Sequence, residues 1–202
     1  MPTGLRERKK RATMVALATA ARRLTLDRGP DAVTVEDIAA AADVSPRTFF
    51  NYFSCKEAAI VGIEGPLLDE LRTELIDRPP AENPVDALIA VLVNDLEASD
   101  DLARLWALRT ELANRHPVLL PRLLASYAEL EAALVEGLAI RLGTDPATDP
   151  YPALVVSAVV AGLRATMLWW HANGQPEPLP EVVHRAAAAL STGLAPDRKR
   201  TP

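Results

Sequence analysis

Apolar residues recur at helical spacing along nearly the whole chain. Between Arg6 and Arg28, Met14, Leu17, Ala18, Ala21 and Leu24 fall on one stripe, which predicts an amphipathic helix. Gly29 supplies a left-handed stop and Pro30 prevents resumption. Thr34 then offers an N-cap, with Asp37 three residues on, beside the unsatisfied backbone N–H groups. The short helix it opens shows Val35, Ile38, Ala39 and Ala42 on one side, and Asp43 and Val44 make a tight turn. Longer helices are predicted over Lys56–Arg78, closed by Pro79 and Pro80, then over Val85–Ala98, Asp101–Arg115, Val118–Leu142, Tyr151–Asn173 and Pro180–Leu194. Pro84, Pro117 and the segments 143–152 and 174–180 separate them, and the tail Asp197–Pro202 is expected to fray.

The segment VSPRTFFNYFSCKE, residues 44–57, breaks this pattern. Four of the nine aromatic side chains, including every Phe, lie between Phe49 and Phe53, interleaved with polar groups. Ser45 is placed as N-cap and Pro46 at the first helical position, where a missing N–H costs nothing. Val44 can staple to Phe49. Arg47, Thr48, Asn51 and Tyr52 are then expected along an outward stripe, with Phe49, Phe50 and Phe53 as an anchoring back. A helix of about two turns does not hold itself up in water, so the rings answer a structural need. Two short helices joined by a three-residue turn, with alanines at the close-packed positions, make a helix-turn-helix.

Composition and charge narrow the function. Ala and Leu dominate the apolar residues of this 202-residue chain, which favours helix over sheet. A single cysteine, Cys55, excludes an internal disulfide framework and fits a reducing interior. The charged start shows no secretory pattern, so the cytoplasm is the expected location. The stretch Tyr151–Trp170 is apolar apart from Ser157, Arg164 and Thr166. An Arg near the middle of a lone membrane span costs about 2.5–3.5 kcal/mol, and a helix buried in protein or across a subunit contact is the better reading. Residues 1–57 carry ten Lys/Arg against seven Asp/Glu, whereas residues 58–202 carry twelve against twenty. A basic head on an acidic body suggests a polyanion bound at one end. His116, His171 and His184 show no metal-ligand spacing, and no phosphate loop or nucleophile motif appears. Neither an enzyme nor a cofactor or metal is expected.

Residues 9–61 resemble the DNA-binding domain of the TetR (tetracycline-repressor-like) family of bacterial regulators. The run TVEDIAAAADVSPRTFFNYFSCKE, from Thr34 to Glu57, is similar to the family's helix, Ala-Gly-Val-Ser turn, recognition helix ending in Tyr-x-Phe, and Lys-Glu. It departs at Asp43, where the family has a turn Gly, and at Phe49, where Leu is common; Asp tolerates left-handed backbone better than most residues. The resemblance implies an all-α protein of about nine helices. A helix-turn-helix domain would occupy residues 1–57, and a larger helical ligand-binding and dimerisation domain residues 58–202. It further implies a homodimer paired through the two C-terminal helices. Such a dimer would repress from a near-palindromic operator and be released by an apolar small molecule. Activation or dependence on a co-ligand is the alternative within the family, and an architectural DNA binder without small-molecule control is the alternative outside it.

Arg47 is the expected base reader, since a guanidinium can bind guanine bidentately. Asn51 can pair with adenine or touch the backbone, while Thr48 and Tyr52 are expected on phosphate oxygens. Lys56 stands at a helix start where charge and N–H groups both favour phosphate. Thr34 and Ser45 belong to the same surface beside their capping roles. The cations Arg6, Arg8, Lys9, Lys10 and Arg11 form a basic arm suited to a DNA backbone or minor groove. In the larger half, Trp106, Arg109, Tyr127, Arg164, Met167 and Trp170 are the candidate ligand contacts, polar or ring-bearing positions within apolar helices. Val155, Val159, Ala186 and Leu190 are candidate subunit contacts, and the helix Lys56–Arg78 is the expected rigid link between the halves.

Overall fold

The computed structural model describes residues 5–63, 66–98, 100–174 and 177–193. Ten α-helices follow one another, with no strand among the described residues: α1 (Leu5–Arg28), α2 (Val35–Ala41), α3 (Pro46–Phe49), α4 (Lys56–Val61), α5 (Pro66–Asp77), α6 (Pro84–Ala98), α7 (Asp100–Arg115), α8 (Leu120–Leu142), α9 (Tyr151–Ala172) and α10 (Leu179–Ser191). A single 3₁₀ turn, Pro117–Leu119, precedes α8. The all-α class matches the reading from periodicity, and most boundaries fall within two residues of it. The tail Asp197–Pro202 lies outside the described residues.

The chain divides into two compact units, residues 1–70 with 104–130, and residues 71–103 with 131–202. In the first, α1 packs on α2 and α4, and α2 packs on α3. Leu17, Ala21, Val33, Ile38, Phe49, Ala59 and Ile60 are completely buried there. Arg22 is buried among them, and its Nε donates to the carbonyl of Ile60 at 2.8 Å, near the end of α4. Burial, and then the like charge of Arg109, bring the Arg22 guanidinium down to about 9, so it stays protonated at neutral pH.

In the second unit α10 packs against α9 and α6, and α9 against α6. Leu75, Leu88, Leu134, Leu138, Val156 and Val183 form its core. Gly137 lets α8 approach α5 closely, since a methyl group there would sit 3.2 Å from the backbone oxygen of Arg72. Arg141, near the end of α8, donates from Nη2 to the carbonyls of Pro79 and Glu82 at 2.6 and 2.7 Å and so holds the segment between α5 and α6.

Two expectations need correction. The helix expected over Lys56–Arg78 is two helices, α4 and α5. Gly62 ends α4 in an extended conformation (φ −80°, ψ 166°), and Pro66 disfavours helical backbone in the residue before it. Gly62 at the end of α4 and Pro66 at the start of α5 thus mark a break that the surrounding apolar periodicity hides. The second correction concerns α9. Val155 and Val159 are buried inside their own unit, whereas Tyr151, Leu154, Leu168 and Trp169 are the exposed large residues of this helix. A helix apolar on every side gives periodicity no means of choosing its inner face.

The close fit at Gly62 makes a prediction. A Cβ there would lie 2.6 Å from the carbonyl oxygen of Ala58. Gly62→Ala should cost about 1–3 kcal/mol and lower Tm by about 2–4 °C for each kcal/mol in a chain of this size. A thermal melt followed by circular dichroism measures it, and an equal or higher Tm would show that the break tolerates a side chain.

Candidate nucleic-acid interface

The candidate surface is built from the caps outward. Thr34 opens α2 with a reciprocal capping box: its Oγ1 accepts from the Asp37 amide at 3.1 Å, and its own amide donates to Asp37 Oδ2 at 3.1 Å. The Thr34 hydroxyl also donates to Oδ2 at 2.9 Å. These bonds, the backbone one foremost, hold the Asp37 carboxyl below the usual aspartate range, with a smaller contribution from Arg28 at 3.9 Å. After α2 the chain turns through Asp43, whose φ of +54° makes it the one non-glycine residue in the left-handed region among the described residues. Val44 donates back to the carbonyl of Ala39 at 2.9 Å. Ser45 Oγ then accepts from the Thr48 amide at 3.1 Å, and Pro46 stands in the first turn of α3.

α3 itself is one turn long and continues as a tight turn, Phe53 donating to the carbonyl of Phe49 at 3.0 Å. Phe49 and Phe53 are buried, with ring centroids 5.7 Å apart. Phe50 is not part of this anchor: 59% of it is exposed, and it meets Phe49 edge to face at 5.4 Å. The reason is angular, since successive residues of a helix are turned by about 100°, so only the i, i+4 pair Phe49/Phe53 shares a face. Arg47, Phe50 and Asn51 form the outward group, while Thr48 and Tyr52 are half-buried. The Thr48 hydroxyl is 2.9 Å from Ser45 Oγ.

Lys56 is placed differently from its neighbours. Its ammonium donates to the carbonyls of Pro30 at 2.8 Å and Val33 at 3.0 Å. It therefore ties the segment between α1 and α2 to the start of α4. Of the basic arm, which is helical from Leu5, Lys9 is exposed and Arg11 pairs with Glu70 at 3.8 Å. The side chains of Arg6 and Arg8 lie outside the described residues.

The ligand candidates fall into two places. Arg109 is buried in the first unit, with its guanidinium 4.9 Å from the centre of the Tyr127 ring. Burial lowers its pKa, and Tyr127 acts in the opposite direction. Arg164, Met167 and Trp170 are on α9 in the second unit. Arg164 is exposed, Met167 half-buried, and Trp170 buried with its indole N–H donating to the carbonyl of Glu177 at 2.7 Å. The side chain of Trp106 lies outside the described residues. The carboxylates of Glu111 and Glu131 are engaged by Arg115 and by the Ser157 hydroxyl.

Comparison with known proteins identifies the family and the fold. Residues 17–60 match the family model described as bacterial regulatory proteins, tetR family, and residues 82–195 match the MftR C-terminal domain, a TetR-type C-terminal model. The chain is 32% identical over 207 residues to the HTH-type transcriptional regulator TcmR of Streptomyces glaucescens, covering 98% of this chain and 91% of that protein. It is 31% identical over 180 residues to BetI of Rhizobium meliloti (strain 1021), covering 74% and 89% respectively. The fold is shared with the fatty acid degradation regulator FadR of Bacillus halodurans, at a TM-score of 0.57, 20% identity and coverage of 98% and 100%. A putative TetR-family regulator of Mesorhizobium loti MAFF303099 gives a TM-score of 0.52, 20% identity and coverage of 95% and 98%. The chain belongs to the TetR family of DNA-binding transcriptional regulators.

The capping box sets a pH dependence. Because the folded pKa of Asp37 is depressed, its contribution is fully present above the ordinary aspartate value of about 3.9 and is lost as pH falls through the lower folded value. Asp37→Asn keeps an acceptor but removes the charge. Tm should therefore fall less between pH 7 and pH 3 in this variant than in the wild type. Parallel melts test this, and an equal fall in both proteins would show that the charge does not contribute.

Proposed function

We propose that the protein is a cytoplasmic, ligand-responsive repressor that binds a near-palindromic operator as a homodimer. Its DNA-binding domain spans residues 1–57, and its ligand-binding and dimerisation domain residues 58–202. The observation that carries this reading is the outward group Arg47, Phe50 and Asn51 on an element whose back is buried. Arg47 reads guanine, Asn51 reads adenine or touches the backbone, and Phe50 offers an apolar edge to a thymine methyl. Thr34, Ser45, Thr48 and Tyr52 hold phosphates and fix register, and Lys56 acts on that register indirectly, by tying the segment between α1 and α2 to the start of α4. The two half-sites lie about 34–36 Å apart or at a multiple of that spacing.

Dimerisation is supported by α9. Tyr151, Leu154, Ala158, Ala161, Ala165 and Leu168 are exposed at three- and four-residue steps and make one apolar stripe, the kind of face that marks a contact with another chain. Arg164 belongs to the exposed side of this helix. The effector is a mostly apolar small molecule, for which Arg109 and Tyr127 in the first unit are one candidate set of contacts and Met167 and Trp170 in the second a separate one. Effector and operator weaken each other's binding by the same factor, about 5–150-fold.

Arg47→Ala should cost about 1–3 kcal/mol and relax preference at one base per half-site, and Phe50→Ala should relax an adjacent thymine position. Titrations over an operator library decide this, and unchanged affinity and preference in both variants would remove α3 from the interface. Sedimentation at micromolar concentration should show a dimer that Leu154→Glu with Leu168→Glu converts into a helical monomer. A wild-type monomer under those conditions would overturn the assembly.

A further inference from the structure

Within the second unit, α6 and α10 pack against each other but leave a cleft between them. Ser191, at the end of α10, donates its hydroxyl to Asp86 Oδ1 in the first turn of α6 at 2.6 Å. Beyond that contact a cleft of 470 Å³ remains. Its walls are Ile89, Ala90 and Val93 of α6 and Ala187 and Ala188 of α10, so three of the five facing side chains are single methyl groups. A cleft of roughly 300–1,000 Å³ with apolar walls and a few polar groups at its ends is the form of a small-molecule site.

The end groups define the ligand's charge. Arg78 lines the cleft, but its Nε donates to Glu82 Oε2 at 2.8 Å and its Nη2 pairs with the other oxygen of the same carboxylate. That pair is neutral as a unit. Asp86 accepts only the neutral hydroxyl of Ser191 among the described contacts, so its negative charge faces the cleft without a cation from the described residues. His184 lines the cleft on α10, nearly two turns before Ser191. The polar end at Asp86 is therefore acidic, and the body of the cleft is apolar.

We propose that this cleft binds an organic amine, its ammonium on Asp86 and its apolar body along Ile89, Ala90, Val93 and Ala187. None of the residues assigned to the repressor's effector or to operator DNA takes part. The site stands independently of that reading.

Calorimetric titration of the full-length protein with 4-phenylbutylamine, 4-phenylbutanol and 4-phenylbutanoate separates head from body. The amine should bind, the alcohol about tenfold more weakly, equivalent to about 1.4 kcal/mol, and the carboxylate weakest. Asp86→Asn, which keeps the acceptor for Ser191, should bring the amine down to the level of the alcohol. Ala188→Leu, at an exposed helical position, should fill the cleft and weaken all three while leaving the thermal melt intact. No binding of the amine at millimolar concentration, no preference over the alcohol, or a preference that survives Asp86→Asn would overturn the proposal. So would unchanged binding in a folded Ala188→Leu variant.

Discussion

The outward face of α3 depends on the two rings behind it. A helix of one turn fixes more backbone freedom than its own hydrogen bonds return, so α3 has no stability of its own. Burying a Phe side chain contributes about 1.5–3 kcal/mol, and Phe49 and Phe53 are both buried. Their i, i+4 relation also sets the rotation of the element. Any turn of α3 that moved Arg47 or Asn51 inward would bring Phe49 out into water, at the cost of that burial. The caps at Thr34 and Ser45 and the left-handed Asp43 then fix where the turn begins, rather than how firmly it is held. Concentrating the aromatic residues in five positions thus has two causes, anchoring for Phe49 and Phe53 and outward apolar surface for Phe50.

Long cations serve this structure as connectors between elements. Arg22 reaches the carbonyl of Ile60, Lys56 the carbonyls of Pro30 and Val33, and Arg141 those of Pro79 and Glu82. In each case the carbonyls belong to the end of a helix or to a connecting segment, where backbone acceptors lack intrahelical partners. A cation suits such places because exposed carbonyl dipoles carry partial negative charge. The cost is desolvation, visible in the lowered pKa of Arg22. The gain is that one helix end and two connecting segments are held through their backbone carbonyls. Lys56 shows the consequence for function, since its charge is already directed at the protein's own backbone.

Much of this organisation is legible in the sequence because local chemistry decides it. Gly29, Thr34, Asp43, Ser45 and Pro46 each act within four residues of where they stand, and each is found in its expected role. The outward group was only partly legible: Arg47 and Asn51 follow from spacing, while Phe50 was counted with the anchor because an aromatic ring suggests burial. Its outward place follows from the helical turn, as 100° separates it from Phe49. The reach of Lys56 to Pro30 and Val33 was not legible at all, because it joins residues more than twenty positions apart. Nor was the pairing of Arg109 with Tyr127 on the following helix, or the cleft between α6 and α10, which exists only when Ala90, Ala187 and Ala188 come together in the fold.

The break at Gly62 changes what can carry a signal through the chain. A continuous helix from Lys56 would have joined the DNA-binding helices to the larger domain as one lever. In its place α4 ends within the first compact unit, and α5, α7 and α8 each contribute residues to both units. A displacement that reaches α4 must therefore cross an extended glycine and a proline-initiated helix, or pass through side chains inside the first unit. Arg22 is the side chain placed for the second route. It leaves α1, ends on the carbonyl of Ile60 in the last turn of α4, and feels the charge of Arg109 on α7. Packed cores respond to such contacts by switching between discrete arrangements rather than by bending gradually. The buried Arg22 guanidinium thus ties α1 to the end of α4 beside the charge of Arg109, all within the first unit.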